Sequence, residues 1–271
     1  MRASTRHFIL AIAGVLCLSV PALGAEFGVT LAYVGPEPHA ALLGVKQGVE
    51  EANVQGRFLG QRYHLSRAVG LGRKGPEPAN LAAILAVLDE PELRRLAAER
   101  PSLPILNLTD DGDGLRERCM NNVLHIPPST HMKEDALGQW RKLHPRTRAA
   151  ARAWHPDFVK YSAEQLNKRY RKAWGEAMDD AAWAGWAAVK LVSDSVARLG
   201  TTEPAKLLDY LKNDLSFDGQ KGIDMSFRPD GQLRQVLLLV ENDKIVAEAP
   251  VQGVAEPEQL DTLGATACTG Q

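Results

Sequence analysis

Gly70-Leu71-Gly72-Arg73-Lys74-Gly75 follows a β-capable stretch, and Asp89 comes 19 residues after Gly70. Glycines so spaced can cradle a pyrophosphate while the later acid binds a ribose. Pro76-Glu77-Pro78 stands where the phosphate-binding helix should open, and the helix left before Ile84 would be barely two turns. The run therefore reads as a surface turn, with no nucleotide cofactor. Thr109-Asp110-Asp111-Gly112-Asp113-Gly114 gathers three carboxylates, the oxygen-rich chemistry that hard cations require. It lacks the later glutamate of a calcium loop, and Asp/Gly mixtures are ordinary turn chemistry, so no metal is assigned. None of the seven histidines has zinc-ligand spacing; His125 and His131 flank Pro127-Pro128 and read as structural. No nucleophile elbow, P-loop or catalytic Cys/His pattern occurs, so the chain is not expected to be an enzyme or to carry a cofactor.

The N-terminus has Arg2 and Arg6, an apolar run of 13 residues from Phe8 to Val20, then Pro21-Ala22-Leu23-Gly24-Ala25. That is the pattern of a secretory signal peptide over residues 1–25, cleaved after Gly24 or Ala25, and the run is too short to span a bilayer. The expected destination is the periplasm, without membrane insertion. Of the 32 Lys/Arg, 30 remain after Arg2 and Arg6, against 33 Asp/Glu. No bulk field points to nucleic acid. With Cys17 removed, Cys119 and Cys268 form an even pair in an oxidising compartment. A disulfide between them is expected, the alternative being two separate buried thiols. From Arg141 to Lys172 ten Lys/Arg face only Asp157 and Glu164, a solvated helix face or a docking surface for an acidic partner or phospholipid headgroups.

The elements that must position these groups alternate strand and helix. Strands are expected at Phe27–Val34, Tyr63–Val69, Ile84–Leu88, Leu103–Leu108 and Val123–Ile126, and helices at Ala40–Asn53 and Pro91–Glu99. Such alternation predicts an α/β fold with a doubly wound parallel sheet over residues 26–130, with ligands beyond the carboxyl ends of its strands. Residues 131–200 read as almost wholly helical, with Ser129 or Thr130 as a cap, all five tryptophans inside, and a helix Asp180–Leu199 stopped by Gly200. Residues 201–271 hold a short helix near Pro204–Lys212 and then a β-hairpin. In that hairpin Ile223, Met225 and Phe227 alternate with polar residues, Pro229-Asp230-Gly231 makes the turn, and Val236–Val240 returns as a strand buried on both faces.

Four stretches carry a resemblance: Leu115-Arg116…Cys119…Asn122-Val123-Leu124-His125…Pro128-Ser129…Met132…Asp135-Ala136-Leu137; the helix pair with Leu166, Arg169, Tyr170 and Asp180-Ala181-Ala182-Trp183; the hairpin at 217–240; and Leu260-Asp261-Thr262-Leu263-Gly264 running to Cys268. Together they resemble type I periplasmic solute-binding proteins, most nearly the substrate-binding subgroup associated with pyrroloquinoline-quinone-dependent alcohol dehydrogenase systems. The resemblance implies a small-molecule ligand, an inner-membrane ABC transporter permease as partner and a setting of alcohol oxidation. Full members have a βαβαβ block in the second lobe, where this chain has only His144 to Ala153. Parallel strands need longer crossovers, so a shortened, mainly helical second lobe is expected. By the strand-end rule the ligand residues are Tyr33, Gly35, Asp89, Glu90, Asn107, Thr109, Ser129 and Thr130. Two alternatives stand beside this reading: a non-transporting periplasmic scaffold or accessory protein, and a carrier of an apolar ligand in a tryptophan-lined helical pocket.

Overall fold

A computed structural model describes residues 27–67, 72, 77–265 and 268. The expected signal peptide and most of the 70–75 glycine run lie outside the described residues. Strands β1 (Phe27–Val34), β2 (Gln61–Ser66), β3 (Leu81–Ala86), β4 (Ile105–Asn107) and β5 (Val123–His125) form one parallel sheet in the order β2-β1-β3-β4-β5. All six residues of β3 are buried, as a strand covered on both faces requires. One face carries helices α1 (Ala40–Leu59), α5 (Ala163–Trp174), α6 (Asp180–Leu199) and α7 (Pro204–Asn213); α2 (Glu90–Glu99) and the short α3 (Gly114–Glu117) lie on the other.

Helix α1 runs past the expected Asn53, because Gly60 is where the chain turns left-handed (φ 66°) and ends the helix. Helix α6 begins and ends as its sequence signals require: the Asp179 carboxylate accepts the Ala182 N–H, and Gly200 is left-handed. The two helices pack backbone to backbone. A Cβ on Gly44 would lie 1.8 Å from the Ala182 carbonyl oxygen, and one on Gly185 would lie 2.1 Å from that of Ala41.

Helix α4 (Thr130–Leu143) starts at Ser129, whose hydroxyl accepts the Met132 N–H. It packs on a second, antiparallel sheet, β6 (Ala150–Arg152), β7 (Leu237–Glu241) and β8 (Lys244–Ala249), in the order β6-β7-β8. Two expectations are corrected here. Residues 131–200 are not wholly helical, because β6 and the irregular chain to Ser162 interrupt them. The hairpin is also different from the expected one. Val236–Val240 is buried as expected up to Leu239, but β7 pairs with β8 and β6 rather than with 223–227. Asn242 and Asp243, both at positive φ, supply a tighter two-residue turn than Pro229-Asp230-Gly231. The expected turn at Pro229-Asp230-Gly231 does form, with the Arg228 N–H donating to the Gln232 carbonyl, but the segment 217–233 makes only isolated bridges: Phe217 to Met225, Phe227 to Leu233, and Gln232, in parallel, to His125 of β5.

The tryptophans serve packing first. Trp154 and Trp183 stack with centroids 5.9 Å apart, and their indole N–H groups donate to Asn167 and to the Gly219 carbonyl. Trp186 and Trp174 donate to Glu51 and Gln47 of α1. The expected disulfide is present: Cys119 and Cys268 are joined, with Cα atoms 5.5 Å apart. Among the described residues no helix is long and apolar enough to cross a membrane.

Candidate functional site

The sheet order brings the expected ligand residues to one edge. Tyr33 lies near the end of β1 and Gly35 just beyond it, Asp89 and Glu90 follow β3, Asn107 ends β4 with Thr109 beyond it, and Ser129 and Thr130 follow β5. Strand order reverses between β1 and β3, where α/β sheets open a crevice at their carboxyl ends. At that point Gly35 is held close: a Cβ on it would meet Val87 Cβ at 2.7 Å and the Tyr33 hydroxyl at 3.0 Å. The Tyr33 ring is buried and its hydroxyl donates to the Pro36 carbonyl; the Arg67 guanidinium lies 4.9 Å above the ring and pairs with Glu37 at 2.8 Å. Burial pushes the Tyr33 hydroxyl up to about 12, against the pull of Arg67.

At Asp89, Glu90, Asn107, Ser129 and Thr130 the side chains bond within the protein. The Asp89 carboxylate caps α2 through the Glu92 N–H, and Glu90 pairs with Arg94. The Asn107 amide is fully used: its oxygen accepts the N–H groups of Thr109 and Asp110, and its nitrogen donates to the Asp110 carbonyl and to His125 Nδ1. Across the end of α4 lies the acidic loop. The Asp111 carbonyl accepts the Thr130 N–H and hydroxyl, Asp113 Oδ1 accepts the His131 N–H, and Asp111 Oδ2 is 2.5 Å from Lys133 Nζ. The three carboxylates of this loop thus have different partners: Asp110 takes the Gly112 N–H, Asp111 takes Lys133, and Asp113 takes the end of α4.

One buried side chain sets this loop, and sequence reasoning did not assign it a role. Arg116, 1% exposed, donates to the carbonyls of Gly112, Asp110 and Pro127 and to Gln232 Oε1 at 2.5 Å. Burial lowers its pKa to about 10, although Asp110, Asp113, Asp230 and Asp111 all favour its charge. The same burial raises the Asp110 carboxyl despite the Gly112 N–H and Arg116. His125, fully buried at the end of β5, has its pKa driven well down by burial and then by Arg116. Since Asn107 donates to its Nδ1, its proton belongs on Nε2, which has no partner among the described residues. Gln232 and Gln235 complete the set by donating to the carbonyls of His125, Pro127 and Ile126. These bonds tie the crossing segments 125–127 and 232–235 together. The acidic run at 110–113 beside an arginine was the available signal for Arg116; isolated glutamines at 232 and 235 gave none.

A second buried cation lies beyond the sheet edge. Lys221 Nζ donates to Gln235 Oε1 and the Val236 carbonyl, each at 2.8 Å, and sits 4.1 Å from the Trp183 ring centroid. Burial lowers its pKa to about 7; the charges of Asp180 and Glu248 oppose this.

No protein-family profile matches the chain, and no curated protein matches it. Solved structures do. An ABC transporter substrate-binding protein of Desulfitobacterium hafniense in complex with Leu aligns with a TM-score of 0.62 at 13% identity, over 81% of this chain and 99% of that one. A branched-chain amino acid ABC transporter periplasmic ligand-binding protein of Burkholderia xenovorans gives 0.65 at 12% identity, over 81% and 95%. A solute-binding protein of an ABC transporter from Rhodopseudomonas palustris, in complex with 3,4-dihydroxybenzoic acid, gives 0.60 at 8% identity, over 82% and 94%. Together with the strand order, these likenesses give the architecture: an α/β fold whose five-stranded parallel sheet matches a lobe of the type I periplasmic binding proteins, with a small antiparallel sheet beside it.

Proposed function

We propose that the chain is an exported solute-binding protein that delivers a small molecule to an inner-membrane ABC permease from the periplasm. The observation that carries this is the row of sheet-edge residues from Tyr33 through Asp89, Asn107 and Thr109 to Thr130, on a sheet shared with proteins described with leucine and with dihydroxybenzoic acid. The ligand sits on that edge, in the crevice between the ends of β1 and β3. The second lobe is reduced, a reading supported by β6 being the one strand between α4 and α5 among the described residues. The tie to quinone-dependent alcohol oxidation rests on the sequence resemblance alone.

The test is native mass spectrometry of protein purified from its own periplasm, followed by melting in the presence of leucine, isoleucine, valine and 3,4-dihydroxybenzoate. A co-purifying molecule, or a saturable rise in melting temperature abolished by Thr109→Ala, supports the reading. No co-purifying molecule and no shift with any of the four would overturn it.

A second reading, a periplasmic accessory protein that transports nothing, has its own observation. The helix ends on the sheet edge are already capped by the chain itself: α1 by His39, α2 by Asp89, and α4 by Ser129, Asp111 and Asp113. A ligand carboxylate would have to displace these groups to reach the N–H donors. The third alternative, a tryptophan-lined helical pocket, has less behind it. Trp154 and Trp183 are consumed in the core, and Trp140 lines one cavity along β8 and a second formed chiefly by the end of α4 and the chain to Thr147.

A further inference from the structure

Helices α1 and α6 run side by side in the same direction: Gly44 lies against Ala182, and further along Gln55 accepts a hydrogen bond from Lys190. Their C-terminal ends therefore lie at one end of the fold. Helix α1 stops at Gly60, immediately before β2 begins, so this is the amino edge of the parallel sheet, opposite the edge where the expected ligand residues gather. Between these helices, α7 and the chain that follows it lies a cavity of about 390 Å³, within the range of small-molecule sites, roughly 300–1,000 Å³. Its apolar floor is Leu191 of α6 with Leu215 and Phe217, all three buried. Phe217 is fixed there by two backbone hydrogen bonds with Met225. The three belong to the main hydrophobic core, so the cavity opens onto core rather than onto exposed surface side chains.

The polar groups round this floor are donors in search of an acceptor. Asp194 is the one carboxylate in the lining among the described residues, and its Oδ1 is already held by Lys190 Nζ at 2.9 Å. The same ammonium donates to Gln55 Oε1 at 3.2 Å, which leaves the Gln55 amide with its NH2 group to give. Ser195 spends its hydroxyl on the Leu191 carbonyl. The hydroxyls of Tyr210 and Ser216 make no hydrogen bond among the described residues. Arg198, one turn beyond Asp194 on α6, has no carboxylate partner among them either. The lining thus offers one uncompensated guanidinium, an amide NH2 and two hydroxyls beside an apolar floor.

We infer that this cavity is a second binding site, for a small organic monocarboxylate with an apolar body. The carboxylate accepts from the Arg198 fork, whose parallel N–H groups match its two oxygens, and from whichever of Gln55, Tyr210 and Ser216 it reaches. The body lies on Leu191, Leu215 and Phe217. A cationic ligand is disfavoured, because the one acid is neutralised by Lys190 and Arg198 would repel it. A wholly apolar ligand would strip water from four donor groups and give them no acceptor in return. A fully hydrated inorganic anion gains nothing from the floor. Arg198 also meets the negative end of α6, so its charge alone has a structural use; the fork is what the ligand adds. This site lies at the opposite edge of the sheet from Tyr33, Asn107 and Thr109 and stands whether or not a solute binds there.

The experiment titrates the whole mature chain with phenylacetate, and with benzyl alcohol, benzylamine and acetate as probes that lack its charge, reverse it or lack its body. Calorimetry should show saturable binding of phenylacetate with a Kd of about 1 mM or tighter, and each of the other three at least about tenfold weaker. Hydrogen exchange should slow at 191–198 and 210–217. Arg198→Gln, on an exposed side chain, should weaken binding about tenfold or more, and Arg198→Lys, which keeps the charge at the end of α6, should recover only part of the loss. Ala197→Phe should fill the cavity and abolish binding; if that variant fails to fold, the Arg198 pair still decides. No saturable binding up to about 10 mM, where even a weak site of this size should fill, overturns the proposal. So do equal binding of phenylacetate and benzyl alcohol, and undiminished binding by Arg198→Gln. Slowed exchange at 107–113 in place of 191–198 would assign phenylacetate to the carboxyl edge of the sheet, which overturns the second site and leaves the first reading intact.

Discussion

Replacing Lys221 by methionine tests the physics of the buried polar set most directly. The ammonium is 2% exposed, and its contacts are the uncharged Gln235, the Val236 carbonyl and the Trp183 ring. Burial lowers its pKa from 10.5 to about 7, with Asp180 and Glu248 opposing. Because the folded value is depressed, the unfolded chain holds this proton more tightly between pH 7 and 10.5. Stability therefore rises with pH across that window. The penalty is fully present below about 7 and gone above 10.5. At about 1.4 kcal/mol per tenfold in proton affinity, the fall from 10.5 to about 7 is worth about 5 kcal/mol at pH 6 and only about 1–2 kcal/mol at pH 9.5. The wild type should thus gain about 3 kcal/mol on the Lys221→Met variant between those two pH values. The lost hydrogen bonds are a constant offset and cancel in this difference. Urea unfolding followed by tryptophan fluorescence, with the disulfide intact, measures it. Parallel pH dependences for the two proteins, or a gain by the variant as pH rises, would refute the reasoning.

Three more outcomes follow from packing and covalent structure. Arg116→Ala leaves the carbonyls of Gly112, Asp110 and Pro127 and the Gln232 side chain without their donor, and should cost about 3–5 kcal/mol in denaturant unfolding. Gly44→Ala should destabilise despite alanine's better helix propensity. A methyl there meets the Ala182 carbonyl, so α1 and α6 must move apart at a cost of about 1–3 kcal/mol in thermal unfolding. Cys119→Ser with Cys268→Ser opens a closure spanning 149 residues, worth about 4–5 kcal/mol in the chain-entropy account, and intact mass with and without reduction checks the bond itself.

The parts legible in the sequence were those set by local rules. Alternating strands and helices gave the doubly wound sheet, Asp179 and Gly200 bounded α6, Ser129 capped α4, and the two cysteines outside the expected signal peptide found each other. Each of these depends on a residue and its near neighbours, or on simple elimination. The turn of the expected hairpin formed at Pro229-Asp230-Gly231, but its return strand paired elsewhere for a related reason. Pro229-Asp230-Gly231 and Asn242-Asp243 are both turn sequences, and local chemistry does not say which strands the return strand will choose.

The candidate site divides the same way. Sequence position along the strands placed Tyr33, Asp89, Asn107 and Ser129 at one edge, because parallel strands all end on the same side. Only the tertiary structure decided what those residues do there. Asn107 spends its amide on its own loop and on His125, the Asp113 carboxylate caps α4 while that of Asp111 meets Lys133, and Arg116 binds carbonyls from segments on both sides of β5. Whether a polar group is free to meet a ligand depends on which partners lie within about 3 Å, and those partners come from distant parts of the chain.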